Sequence, residues 1–257
     1  MGDTVPDGDL PAPEGATCVE EPLSTADRRL YQQIVGSLNY AAHVTRLDIA
    51  QAVSQLSRAT QKPRPRHLAA ARRCVQYLAG TADWGICFTR DAGGILEAWC
   101  DAGLGPTGSS SNMTGMILKV GGGPVSWVSK KQDRKTSSTT DSESLAVMTT
   151  CQHVQHLRDL LAEFGLMQRW PTPLYNDNSA TISLCVQPPS HHKSIQLTRP
   201  MAYVRQLAHD GYIAPQWVRT TEMPADFLTK RLARDAFERC RAQSGMVPLP
   251  PSVSSLT

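Results

Sequence analysis

The stretch ILEAWCDAGLGPTGSSSNMTGMILKVGGGPVSWVSKKQ, residues 95–132, decides the fold. It holds three short runs rich in Val, Ile, Met and Trp and bounded by Gly and Ser, which predict strands over 95–100, 113–120 and 125–129 in hairpin succession. Downstream the apolar spacing becomes helical. A helix is expected over 141–164, with Ser and Thr caps before it and a stripe at Leu145, Val147, Met148, Val154, Leu157, Leu160 and Leu161. A fourth strand at Leu174–Tyr175, helices over 178–186 and 200–208, a fifth strand over 212–218 and a last helix over 224–241, with Pro at its first turn, complete the pattern. The order βββαβαβα implies an α/β domain whose five-stranded sheet mixes antiparallel hairpins with parallel pairings.

Upstream, DRRLYQQIVGSLNYAAHV (27–44) places Leu30, Ile34, Leu38 and Ala41 at helical spacing, and LDIAQAVSQLSRAT (47–60) repeats the pattern with Ile49, Val53 and Leu56. QKPRPRHLAAARRCVQYLAGT (61–81) opens with prolines and continues as a helix carrying Arg66, His67, Arg72 and Arg73 near its start. That basic stretch suits a phosphate backbone and reads equally well as a solvated helix face. The chain thus divides into a disordered acidic arm (1–26), a helical segment (27–83), the α/β domain (84–243) and a disordered Pro/Ser tail (244–257).

With 257 residues, 40% of them hydrophobic, the chain can bury a sizeable core. Residues 1–27 contain seven acids and no Lys or Arg; taking those seven negative charges from the formal +3 leaves the remainder at +10. So basic a body is consistent with a polyanionic partner. The seven cysteines are scattered, odd in number and free of C-x-x-C pairs, which points to reduced thiols in a cytoplasmic or nuclear protein and away from zinc. The amino terminus has neither the basic nor the apolar region of a secretion signal, and no apolar run approaches a membrane span, so a soluble protein without a membrane partner is expected. CQHVQHL (151–157) has a superficial metal-ligand look, but its Cys151, His153 and His156 spread around a helix that also carries the core stripe.

Four acids stand apart: Asp101 in AWCDAG, Glu143 in TTDSESLAV, Asp177 in LYNDNSATI and Asp226 in PADFLTK. Each lies where a strand or loop meets the end of a regular element, a place that presents side chains. Converging carboxylates repel unless cations separate them, and oxygen-only sites suit Mg²⁺. Singly, each acid reads as well as an exposed charge or, for Asp226, a helix cap.

These segments resemble the C-terminal part of the Pol polyprotein of copia-type LTR retrotransposons, the end of the reverse transcriptase followed by ribonuclease H. YQQIVGSLNYAAHVTRLDIAQAVSQLSR (31–58) is similar to the family's YxxLVGSLxYLxxxTRPDIxxAVxxLSR, and HLAAARRCVQYLAGTADWGICF (67–88) to its HWxAAKRVLRYLKGTxxxGLxY. AWCDAGLG, the run containing SWVSKKQ and DSESLAV, LYNDNSATISL and PADFLTKRL then follow the ribonuclease H part in order. The resemblance implies a ribonuclease H-like mixed five-stranded sheet with flanking helices, preceded by a small helical reverse-transcriptase remnant. It implies Asp101, Glu143, Asp177 and Asp226 as catalytic, metal-binding carboxylates for two Mg²⁺ ions, with Mn²⁺ as substitute, and an RNA–DNA hybrid whose RNA strand is cut. Arg64, Arg66, Arg72 and Arg73, with Lys130 and Lys131 of SWVSKKQ, are the expected nucleic-acid contacts, and reverse transcriptase or other Pol products the expected protein partners.

The chain also departs from that pattern. Thr45-Arg46-Leu47-Asp48 stands for TRPD, Gly103 and Leu104 follow the first acid where an acid and Trp are usual, and Lys193-Ser194-Ile195-Gln196 replaces KHID. TTEMP lacks the histidine that cellular relatives carry before the last acid, and His191 and His192 lie near the lost motif. No adjacent Asp-Asp occurs in residues 1–95, so polymerase activity is not expected. The alternative from another class is a catalytically silent nucleic-acid-binding or interaction module of the same fold; a transposase or integrase-type nuclease fits the order Asp, Glu, Asp, Asp less well.

Overall fold

The computed structural model describes residues 21–90, 93–103, 112–134, 136, 138–187 and 195–249, the side chains of 195–200 excepted. Most of the acidic arm, the end of the Pro/Ser tail, Leu104 and the segment carrying His191, His192, Lys193 and Ser194 lie outside them, as do the side chains of Ile195 and Gln196. The described residues form two compact units, one up to Gly85 together with those from Val247 onward, the other Ile86–Met246. Among them no helix is long and apolar enough to cross a membrane.

The first unit is helical: α1 (Thr25–Val44), a 3-10 turn Leu47–Ile49, α2 (Ala50–Arg58) and α3 (Pro65–Gly80), packed pairwise. Ser24 caps α1 by accepting the Asp27 amide, and Pro65 opens α3, where a missing N–H costs nothing. The buried stripe of α1 is Tyr31, Val35, Leu38 and Ala42, not the expected Leu30, Ile34, Leu38 and Ala41. Leu30 remains exposed, because the stripe is set by Tyr31, whose hydroxyl donates to the Leu56 carbonyl of α2 at 2.6 Å. The Arg46–Asp48 motif is a buried staple. Its guanidinium grips both Asp48 oxygens at 3.0 and 2.8 Å and donates to the Thr81 carbonyl, while the Tyr77 hydroxyl donates to Asp48 at 2.7 Å. Each polar group is therefore paired, the condition under which a buried ion pair is tolerated.

In chain order follow β1 (Trp84–Ile86), β2 (Leu96–Gly103), β3 (Met113–Val120), β4 (Gly123–Lys131), α4 (Thr139–Glu163), β5 (Thr172–Asn176), α5 (Ser179–Val186), α6 (Ile195–His209) and β6 (Ile213–Trp217). Two 3-10 turns, Thr220–Glu222 and Pro224–Leu228, precede α7 (Arg234–Gln243) and β7 (Met246–Pro248). The main sheet has the order β4-β3-β2-β5-β6, with β2, β3 and β4 antiparallel and β5 parallel to both β2 and β6. This is the expected α/β architecture, a mixed five-stranded sheet with flanking helices. Leu96, Ala98, Cys100, Met116 and Leu118 point from one sheet face into a core completed by Val147, Cys151, Val154, Met201 and Val204 of α4 and α6. Cys151 is thus a core residue, while His156 of the same helix is exposed.

The expected last helix over 224–241 is two pieces. Pro224–Leu228 closes as a 3-10 turn, the chain runs on without helix, and α7 begins only at Arg234. Thr229 explains the break: its hydroxyl bonds the Asp226 carbonyl and the Asp101 carboxylate, holding the turn against the sheet. The expected helix over 200–208 begins earlier, at Ile195, so Pro200 lies inside it.

Candidate active site

Alternation along β2 sends Cys100 into the core and Asp101 to the opposite face, which the turn Pro224–Leu228 covers. The close approach depends on glycine. Gly115 pairs with Asp101 across the β2–β3 ladder, and a Cβ there would meet the Thr229 methyl at 2.5 Å and the Ala225 carbonyl at 2.9 Å. Gly103 has the Thr229 carbonyl equally near, at 2.6 Å from a built Cβ. Only side-chain-free positions admit the turn, and with it Asp226.

Asp177 follows β5, the parallel neighbour of β2. Its carboxylate accepts from the Thr220 hydroxyl at 2.8 Å and its carbonyl from the Trp217 indole at 2.8 Å, so the end of β6 and the 3-10 turn after it fix its direction. Ligand oxygens of Asp101, Asp177 and Asp226 all lie within 4.8 Å of one another. Glu143 is not a member of that set. It arrives from α4, on the core side of the sheet, and accepts from Asn176 Nδ2 at 3.0 Å; the same amide nitrogen donates to the Cys100 carbonyl at 2.8 Å. Asn176 and Cys100 immediately precede Asp177 and Asp101, so Glu143 is tied to the strand ends that present the other acids.

Asp101 is 1% exposed, Asp226 5% and Glu143 7%. Burial, and next the charge of Asp101, push Glu143 up to about 8 and Asp226 up to about 7. Asp101 is itself raised by burial, against the opposing pull of Lys230 and Thr229. Lys230 Nζ stands 3.0 Å from Asp226 Oδ1 and 3.7 Å from Asp101 Oδ2. The cluster therefore has oxygen donors alone, more negative than positive charge, and a spacing that one hard cation can span, which fits Mg²⁺ or Mn²⁺.

Among the remaining expected contacts, Arg64, Arg72 and Arg73 are exposed at the start and on the solvent face of α3, and Arg66 is half-buried. They belong to the first unit and the carboxylates to the second. Lys130 and Lys131 end β4, exposed, with Lys130 3.5 Å from Asp133. Sequence reasoning left Thr229, Lys230, Asn176, Thr220 and Trp217 without roles. The i, i+3 and i+4 spacing of Asp226, Thr229 and Lys230 within PADFLTK was the available signal for the first two.

No family model matches the chain. It is 35% identical over 223 residues to the retrovirus-related Pol polyprotein from transposon RE2 of Arabidopsis thaliana, a match covering 86% of this chain and 15% of that protein. It is 34% identical over 234 residues to the corresponding polyprotein from transposon TNT 1-94 of Nicotiana tabacum, covering 90% and 17%. The chain thus spans about a sixth of the length of these relatives. A solved structure, LC11-RNase H1 isolated from compost, superposes with a TM-score of 0.42 at 13% identity, covering 57% of this chain and 97% of that one.

Proposed function

We propose that this chain, a homologue of a segment of the copia-type retrovirus-related Pol polyproteins, is a divalent-metal-dependent ribonuclease that cuts the RNA strand of RNA–DNA hybrids. The observation that carries the reading is the convergence within 4.8 Å of oxygens of Asp101 and Asp177, toward the carboxyl ends of the parallel neighbours β2 and β5, and of Asp226 on the covering turn, with Glu143 tied to the same strand ends through Asn176. Asp101, Asp177 and Asp226 would hold the metal, Glu143 complete the set, and two Mg²⁺ ions would supply an activated water and stabilise charge on the leaving oxygen. The protein's own part is orientation. Thr229 aims Asp101, Thr220 aims Asp177 and Asn176 aims Glu143, so that little rearrangement is needed as a cation enters.

Specificity for the hybrid would rest on helix shape and the 2′-hydroxyl, and affinity on phosphate contacts by Arg64, Arg66, Arg72, Arg73, Lys130 and Lys131. The test is cleavage of an RNA strand, end-labelled and annealed to DNA, with Mg²⁺ and with chelator. Metal-dependent cleavage by the wild type, lost in Asp101→Asn while hybrid binding persists, is the expected result. Salt-sensitive hybrid binding with no cleavage in millimolar Mg²⁺ or Mn²⁺ would replace it with the silent binding module.

A further inference from the structure

Lys230 forms ion pairs with two members of the carboxylate cluster, Asp226 and Asp101. Its side chain is 40% exposed, and its ammonium pairs with two acids whose side chains are 7% and 1% exposed. A lysine at a protein surface ordinarily extends its charge to water and buries its stem. Here the ammonium instead lies against Asp226 and Asp101, at 3.0 and 3.7 Å, two of the three residues whose oxygens could share a metal ion. A lysine ammonium is a compact, strongly hydrated point charge on a flexible stem, the side chain closest in character to a small hydrated cation and able to withdraw without disturbing the backbone.

We infer that Lys230 is a tethered cation occupying one of two cation places in this site, so that the resting protein takes one divalent ion and a second enters only as the ammonium swings out. The inference rests on the metal-dependent reading above. Charge counting supports it. With Asp101, Glu143, Asp177 and Asp226 ionised, the ammonium cancels one charge and a divalent ion two more, leaving a single negative charge; a second divalent ion beside the ammonium would overshoot neutrality. Without the ammonium, two divalent ions neutralise the four acids. The same cation has a second consequence, because buried carboxylates left unpaired destabilise a fold. Lys230 keeps the metal-free site from repelling itself apart.

The experiment is Mn²⁺ binding to the metal-free full chain, by calorimetry and by the electron paramagnetic resonance of free Mn²⁺, with wild type, Lys230→Met and Lys230→Arg. Wild type and Lys230→Arg are expected to bind one ion. Lys230→Met is expected to bind two, the first roughly tenfold more tightly, since an opposing charge a few ångströms away has gone. Melting without metal should fall in Lys230→Met and be restored by millimolar Mg²⁺ by a larger shift than in wild type; a variant that folds only with Mg²⁺ supports the same conclusion. Equal stoichiometry, with affinities within twofold, would make Lys230 an ordinary counter-ion and overturn the inference alone. Absence of Mn²⁺ binding in all three proteins would overturn the metal reading beneath it as well.

Discussion

Three carboxylates whose oxygens lie within 4.8 Å of one another repel, and burial of Asp101 and Asp226 keeps water from screening them fully. The metal-free protein lowers that repulsion by holding protons. Burial, and then the charge of Asp101, push Glu143 up to about 8 and Asp226 up to about 7. Because these pKa values are raised above those of the unfolded chain, the folded state binds more protons than the unfolded state between about pH 4 and 8. The stability this contributes is complete below the unfolded values and lost as pH rises through 7 and 8. Metal-free protein should therefore melt lower at pH 8 than at pH 5, and saturating Mg²⁺ should reduce the difference while releasing protons on binding. Asp101→Asn, which removes the charge acting on both neighbours, should flatten the metal-free profile and raise melting at pH 8. A metal-free profile that rises from pH 5 to pH 8 would show that the carboxylates are not held close in solution.

Elements bring those residues together through spacing that is partly visible in the sequence. Gly- and Ser-bounded apolar runs marked β2, β3 and β4, and 113–120 matches β3 at both ends, because each strand's boundary is a local property of turn residues. The caps before α4 were local too, and its start lies within two residues of expectation. The last helix departs from its expected span because Pro224 and the apolar residues after it look like a helix start. What interrupts it, the Thr229 hydroxyl bonded to Asp101, joins residues 128 positions apart and leaves no local trace. The phase of α1 failed likewise, since Tyr31 is placed by a bond to Leu56. The four acids were legible as a set only through the family pattern; the geometry adds that three share one volume and Glu143 approaches from the other face. The glycine argument yields a paired prediction. Gly115→Ala should cost about 1–3 kcal/mol and weaken Mn²⁺ binding, since the turn carrying Asp226 must retreat from a new methyl group. Gly36→Ala, exposed within α1 with nothing within 4 Å of its added Cβ, should instead stabilise by about 0.5–1 kcal/mol and leave metal binding unchanged. Denaturant melts and Mn²⁺ titrations of both variants check it; intact metal binding in Gly115→Ala would mean that the turn does not need the glycine.

At the scale of the whole molecule, the proposed function would divide two tasks between the two units. The carboxylates belong entirely to the second unit, and Arg64, Arg66, Arg72 and Arg73 entirely to the first. Phosphate contacts release counterions, so each contact adds a slope of roughly 0.9 to the fall of log affinity with log salt on duplex DNA. If the α3 arginines grip the hybrid, their combined replacement by Ala should weaken binding for all sequences alike and flatten the salt dependence by about one unit per lost contact. Mn²⁺ binding should be unchanged in that variant, because no carboxylate ligand has been touched. Conversely, Asp101→Asn should abolish cleavage with little change in salt slope. Hybrid affinities measured across a series of salt concentrations for the two variants separate the tasks. A slope unaltered in the quadruple Ala variant would make the exposed α3 face an ordinary solvated surface, and Lys130 and Lys131, on the same unit as the carboxylates, would be the next residues to replace.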